Sequence, residues 1–157
     1  MRWLGFVAVL AMATPAMAQS GTMTRQADVE QRGMAVMPFD QTRSMHMFEP
    51  APDGGTMMIM SSDGDAQQIA LIRSHLRHEA TAFAAGDFSD PMAIHGANMP
   101  GLAILKAKAP LLHITYQDMP MGAEIVFATD DTVARQALGD WFGAQVMDHG
   151  AHAMIMK

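Results

Sequence analysis

The chain has no cysteine in its 157 residues. Disulfides, thiolate metal centres, cysteine nucleophiles and thioether-linked haem are excluded at once, since each needs a thiol. Cations are few: ten Lys and Arg stand against sixteen Asp and Glu. That balance argues against nucleic acid as a partner, because phosphate backbones select clustered basic side chains. There is no G-x-S-x-G elbow, no H-E-x-x-H helix and no Walker loop, so the common hydrolase, zinc-protease and nucleotide-binding signatures are missing. Long apolar runs are missing too. Leu4 to Ala13 is apolar for about ten residues, too short to span a bilayer, and no later stretch is longer.

That short run has the form of a leader. Met1-Arg2 precedes it, and Ala16-Met17-Ala18 supplies the small residues of a cleavage site. Residues 1–18 are therefore expected to be a signal peptide, the mature chain to begin at Gln19, and the protein to be periplasmic or secreted and not membrane-spanning. The mature chain has 139 residues (157 − 18), enough for one domain with a real core. Without Arg2 its net charge is 9 − 16 = −7, which favours cations as ligands.

What the sequence has in excess is methionine, 18 residues, and histidine, seven. Many methionines fall in close pairs, such as Met45-His46-Met47, Met58-Ile59-Met60, Met119-Pro120-Met121 and Met154-Ile155-Met156. Two roles are open to them. A thioether is a soft ligand that suits Cu(I) and needs no deprotonation; it is also a flexible filler of irregular cores.

The layout along the chain predicts one α+β domain over residues 34–150, preceded by a polar, flexible arm at 19–33 and followed by a tail at 151–157. Thr42 to Pro50 and Thr56 to Ser61 read as a hairpin around Ala51-Pro52-Asp53-Gly54-Gly55. Asp65 to Ala85 reads as a helix buried along Ile69, Ile72, Leu76, Ala80 and Phe83. Asp87 to Pro100 reads as a long ordered loop, and Leu102 to Lys108 as a short helical turn. Leu111 to Gln117 and Ala123 to Thr129 form a second hairpin, and a last helix runs to about Asp148 with Val133, Ala137, Leu138, Trp141, Gln145 and Val146 inward. The two halves match: His46 precedes Gly55 by nine residues, as His113 precedes Gly122. A duplicated ββα unit follows, giving a four-stranded antiparallel sheet with two helices on one face. In that alignment Met45 and Met47 face the helices, while His46 and His113 point to the outer face, a binding surface or a homodimer interface.

His75 and His78 are helix neighbours, and a ring from this pair is placed to reach toward His95. A site of His46, His75 and His95, helped by His78, Met45 and Met47, would mix nitrogen and sulfur donors, a set that suits copper. The carboxylates Asp63/Asp65, Asp87/Asp90 and Asp130/Asp131 sit where caps and turns belong.

Ile72-Arg73-Ser74-His75-Leu76-Arg77-His78, Phe83-Ala84-Ala85-Gly86-Asp87-Phe88, Pro91-Met92-Ala93-Ile94-His95-Gly96 and Phe39-Asp40-Gln41-Thr42-Arg43 together resemble a family of small secreted, largely uncharacterised bacterial proteins. The resemblance implies that His46, His75 and His95 occupy motif positions. Members often carry the label aspartate carbamoyltransferase. Phe39 to Ser44 is similar to that enzyme's carbamoyl-phosphate loop but has Gln41 where the loop has a serine, and the enzyme is twice as long, so the label reads as a misnomer. The expected function is an exported metal-binding protein, with copper as cofactor, for storage, delivery or tolerance. The alternatives are a non-metal interaction module using the outer sheet face and, more remotely, a carbamoyltransferase-like enzyme.

Overall fold

The computed structural model describes residues 16–157, with side chains from residue 21 onward. The expected leader lies, up to Pro15, outside the described residues. The elements are α1 (Ala16–Val36), β1 (Ser44–Ala51), β2 (Gly54–Ser61), α2 (Ala66–Ala84), α3 (Ser89–His95), α4 (Leu102–Lys108), β3 (His113–Met119), β4 (Gly122–Ala128), α5 (Thr132–His149) and β5 (Ala153–Ile155). The class is α+β. The sheet is mixed and five-stranded rather than four-stranded and antiparallel: its order is β3-β4-β2-β1-β5, and β5 runs parallel to β1. No helix among the described residues is long and apolar enough to cross a membrane.

Helices α2 and α5 each start on an aspartate whose carboxylate accepts an N–H of the first turn: Asp65 from Gln68 and Asp131 from Ala134, each at 2.8 Å. Ile72, Leu76, Ala80 and Phe83 of α2 are buried, as their spacing requires. On α5 the inward residues are Ala134, Ala137, Leu138, Trp141 and Gln145; Val133 is exposed instead, one position out of phase. The helices cross over. α2 of the first half lies on β3 and β4 as well as β2, while α5 of the second lies on β1, β2 and β5. Between them the rings of Phe83, Phe127, Trp141 and Phe142 pack with centroids 5.7 to 6.1 Å apart.

The two hairpins obey one offset. Each closes on a two-residue turn, with Ala51 opposite Gly54 and Met119 opposite Gly122. The offset is therefore 122 − 54 = 68 residues, and the central pair Met57–Ile125 is related to itself by the same 68 (125 − 57). A pseudo-two-fold axis thus passes between β2 and β4. Matching Gly55 with Gly122 was one residue off. In a strand, one residue exchanges the faces, so His46 corresponds to Ile114 and points inward at 3% exposure, whereas His113 corresponds to Met45 and points out. Met45 and Met47 do not face the helices.

Three other segments depart from expectation for tertiary reasons. Residues 19–33 are not a flexible arm but most of α1, which has little amphipathic signal of its own. It is held by buried Val29 and by side chains that reach other helices: Gln26 donates to the Met147 carbonyl (3.0 Å) and Arg32 to the Ile94 carbonyl (2.6 Å). The loop at 87–100 contains α3, whose start is fixed when the Asp87 carboxylate accepts the Ser89 N–H (2.9 Å); Pro91 is tolerated because it lies in the first turn. The tail at 151–157 contributes β5, and the Met156 N–H bonds the Phe48 carbonyl at 2.7 Å. Gly101 permits the approach of α4 to α5: its φ is +76°, and a Cβ there would lie 2.0 Å from the Ala137 carbonyl oxygen.

Candidate metal centre

Side chains from four elements converge where α2, α3, α5 and β1 meet. On α2, His75 and Glu79 are one turn apart and share a face. On α5, Trp141, Gln145 and His149 recur every four residues, so the core stripe ends in an imidazole. α3 presents Asp90 near its start and His95 at its end. β1 presents His46. They surround a cavity of about 40 Å³ whose remaining wall is apolar, with Met57 and Ile59 from β2 beneath it and Met37 beside it.

One wall is a donor set. A ligand atom from each of His75, Glu79 and Asp90 lies within 4.8 Å of the others. Glu79 is 4% exposed, and burial, followed by the hydrogen bond and charge of Asp90, pushes its carboxyl up to about 8. The neighbouring Asp90 carboxyl thus favours the protonated form of Glu79, whose Oε1 meets no partner. Burial lowers His75 as well, against the pull of Asp90.

The opposite wall is imidazole. His46 and His149 stack at 4.5 Å and 8°, and His95 meets His149 edge-on at 5.0 Å. Burial disfavours the charged form of both rings. It takes His46 down to about 4 and His149 to about 2, with neighbouring imidazoles adding to the effect. The His152 backbone offsets part of this for His46 without closing a hydrogen bond of good geometry; both ring nitrogens of His46, and Nε2 of His149, are buried without partners.

His95 is oriented from behind. Its Nδ1 lies 2.8 Å from Oδ2 of Asp148, so that Nδ1–H donates to the carboxylate. Asp148 also receives Arg25 of α1 through both Nε and Nη2, the latter at 2.6 Å. Burial acts to raise the Asp148 carboxyl, but the bonds from His95 and Arg25 outweigh it and hold the group below the usual carboxylate range. The cluster therefore mixes one anchored imidazole, three others and two carboxyls, with several polar atoms unsatisfied. An unsatisfied buried polar atom costs about 1–3 kcal/mol.

Of the six residues singled out from the sequence, the structure brings His46, His75 and His95 to this cavity. His78 is exposed and lies outside it, on the solvent side of α2. Met45 and Met47 are on the opposite face of the sheet, since they alternate with His46; the thioethers that do line the cavity belong to Met37 and Met57. Glu79, Asp90, His149 and Asp148 were missed. The four-residue spacing of His75 with Glu79, and the continuation of the Trp141-Gln145 stripe to His149, were available signals. Nothing in the sequence marks Arg25. Thr42 and Arg43, in the segment similar to a carbamoyl-phosphate loop, are held locally: Thr42 by Asp40, and Arg43 by Asp63 at 2.6 Å. No family model, curated protein or solved structure matches the chain.

Proposed function

We propose that the protein binds one transition-metal ion in this cavity, outside the cytoplasm, for storage, delivery or tolerance. The observation that carries the reading is the convergence of His75, Glu79 and Asp90 within 4.8 Å on a buried cavity. Size favours an ion over an organic substrate: pockets for small molecules have roughly 300 Å³ or more, against about 40 Å³ here. The donors are imidazole nitrogen and carboxylate oxygen, with Met37 and Met57 as thioether neighbours. Such a borderline set takes Cu(II) most tightly by the Irving–Williams order, and Zn(II) less tightly than Cu(II). His95, anchored by Asp148, is a further nitrogen at the same wall. A cleft of about 300 Å³ between α1 and the C-terminal turn also touches His46 and His149, and gives an ion a route from solvent.

The test is metal content and affinity. Mature protein incubated with Cu(II) or Zn(II) against a competing chelator should retain about one ion per chain. The double variant His75→Ala/Asp90→Asn should lose about a hundredfold in affinity or more. Parent protein that emerges metal-free overturns the reading, as does a variant that binds like the parent.

A further inference from the structure

The outer face of the sheet carries a second concentration of donors, separate from the cavity. α2 and α5, the helices that touch the sheet, lie on its other face. On the outer face Met47 of β1 is paired with Met58 of β2 on one side and Met154 of β5 on the other, and Met45 is paired with Met60 in the next row. Side chains on directly paired residues leave the backbone about 5 Å apart, and a methionine has three torsions with which to bring its sulfur inward. Met45, Met47 and Met60 are half-buried and Met58 is 7% exposed, although among the described residues the helices packed on the sheet, α2 and α5, lie on its other face.

Neither propensity nor core filling explains these residues. A half-exposed sheet face is ordinarily built from Thr, Val or Ile, and these methionines are not in the core. The charge around them suits a cation: none of the five strands contains a Lys or Arg, while Glu49 and Glu124 share the face, Glu124 directly beside Met58. We propose that the row Met154-Met47-Met58 is a three-coordinate thioether site for a soft monovalent cation of the Cu(I) class, with Met45 and Met60 flanking it. Thioethers are neutral at every pH and prefer soft ions, whereas the cavity offers nitrogen and oxygen. The two sites lie on opposite faces and share no residue, so this site stands independently of the cavity.

Silver(I), a redox-stable ion of the same class, is the probe. With the full chain labelled at the methionine methyl carbons, one equivalent of Ag(I) should shift the Met47, Met58 and Met154 signals, while exposed Met23, Met34 and Met147 stay in place. Replacing Met47 and Met58 by leucine, close in volume, should weaken Ag(I) at least about tenfold and leave Zn(II) binding in the cavity unchanged, which also reports that the fold is intact. His75→Ala/Asp90→Asn should leave Ag(I) binding intact. Uniform shifts across all methionines overturn the proposal, as does a leucine variant that binds within about twofold of the parent. A doubled mass without silver, with these methyls unresponsive to it, would assign the face to a homodimer and equally overturn it.

Discussion

The two ββα halves share a turn length, a register and a capped helix, yet they meet different chemistry. At equivalent inward positions, His46 of β1 stands where β3 has Ile114. Ile114 packs against the apolar core, paired with Phe127 of β4. His46 faces His149 and the cavity. What distinguishes the two ends is what was added to the duplicated frame. α1 with Arg25 and α3 with Asp90 and His95 have no counterpart in the other half, and the turn after α5 closes over His46. The duplication supplies a stiff platform, and the unpaired segments bring the donors to one end of it.

The contrast can be attacked first at the dry end. Phe127→Ala removes a fully buried ring that touches Phe83, Trp141 and Phe142. Such truncations cost about 3–5 kcal/mol, and urea denaturation should show a loss of that size. If the two ends are separable, the folded variant should bind metal with affinity close to that of the parent. A parallel loss of affinity at concentrations where the variant is folded would show that the cavity depends on the whole core.

The wet end should reveal itself through pH. Glu79 is raised from 4.5 to about 8, so the folded state holds its proton where the unfolded state has released it. Its contribution is complete below pH 4.5 and is lost as pH rises toward 8. His46 and His149 act in the other direction: both are lowered from 6.5, so their contribution is complete above pH 6.5 and lost as pH falls toward about 4 and 2. Above pH 6.5 only the Glu79 effect remains, and the melting temperature of the metal-free parent should fall between pH 6.5 and 8. Glu79→Gln should flatten that fall, because the amide still donates to Asp90 and cannot ionise. A slope that persists in Glu79→Gln would assign the titration to another group. Metal should reverse the trend, since its binding displaces the proton and so tightens as pH rises.

Local physics made much of this legible. Capping aspartates, two-residue turns and three-four spacing place α2, α5 and both hairpins within a few residues. What failed did so where the deciding partner is remote. Gly54 and Gly55 are adjacent, and choosing between them as the mate of Gly122 needs the strand pairing itself; the wrong choice turned His46 outward. α1 has almost no apolar face, and its helix is held by Gln26, Arg32 and Val29 against other elements. β5 is three residues long and is visible only through β1. At the site, His46, His75 and His95 were found because imidazole is chemically conspicuous, while His149 was missed at the end of its helix. Glu79 and Asp90 were passed over because a carboxylate on a helix or near a turn is usually solvated, and only the folded chain buries Glu79 and brings half-buried Asp90 beside it and His75.

Exchanging the odd residue for its symmetry mate gives a smaller effect of opposite sign. His46→Ile puts on β1 the side chain that β3 has, and removes two buried nitrogens without partners. The metal-free protein should gain on the order of 1 kcal/mol, read from denaturation. Loss of stability instead would mean that the His152 backbone does bond the His46 ring, and that the first half is as well satisfied as the second.

The smallest effect is expected at His78. It lies three residues from His75, so a sequence-level argument treats the two as a pair, but the helix turns His78 to solvent, outside the cavity. Its one connection to the site is charge: it lowers His75 weakly, after burial and Asp90 have acted. His78→Ala should therefore change stability by no more than about 0.5 kcal/mol and metal affinity by less than about twofold. A loss like that of His75→Ala would place the ion on the solvent face of α2, between His75 and His78. The buried donors would then be bystanders, and the difference between the two halves would have no bearing on metal.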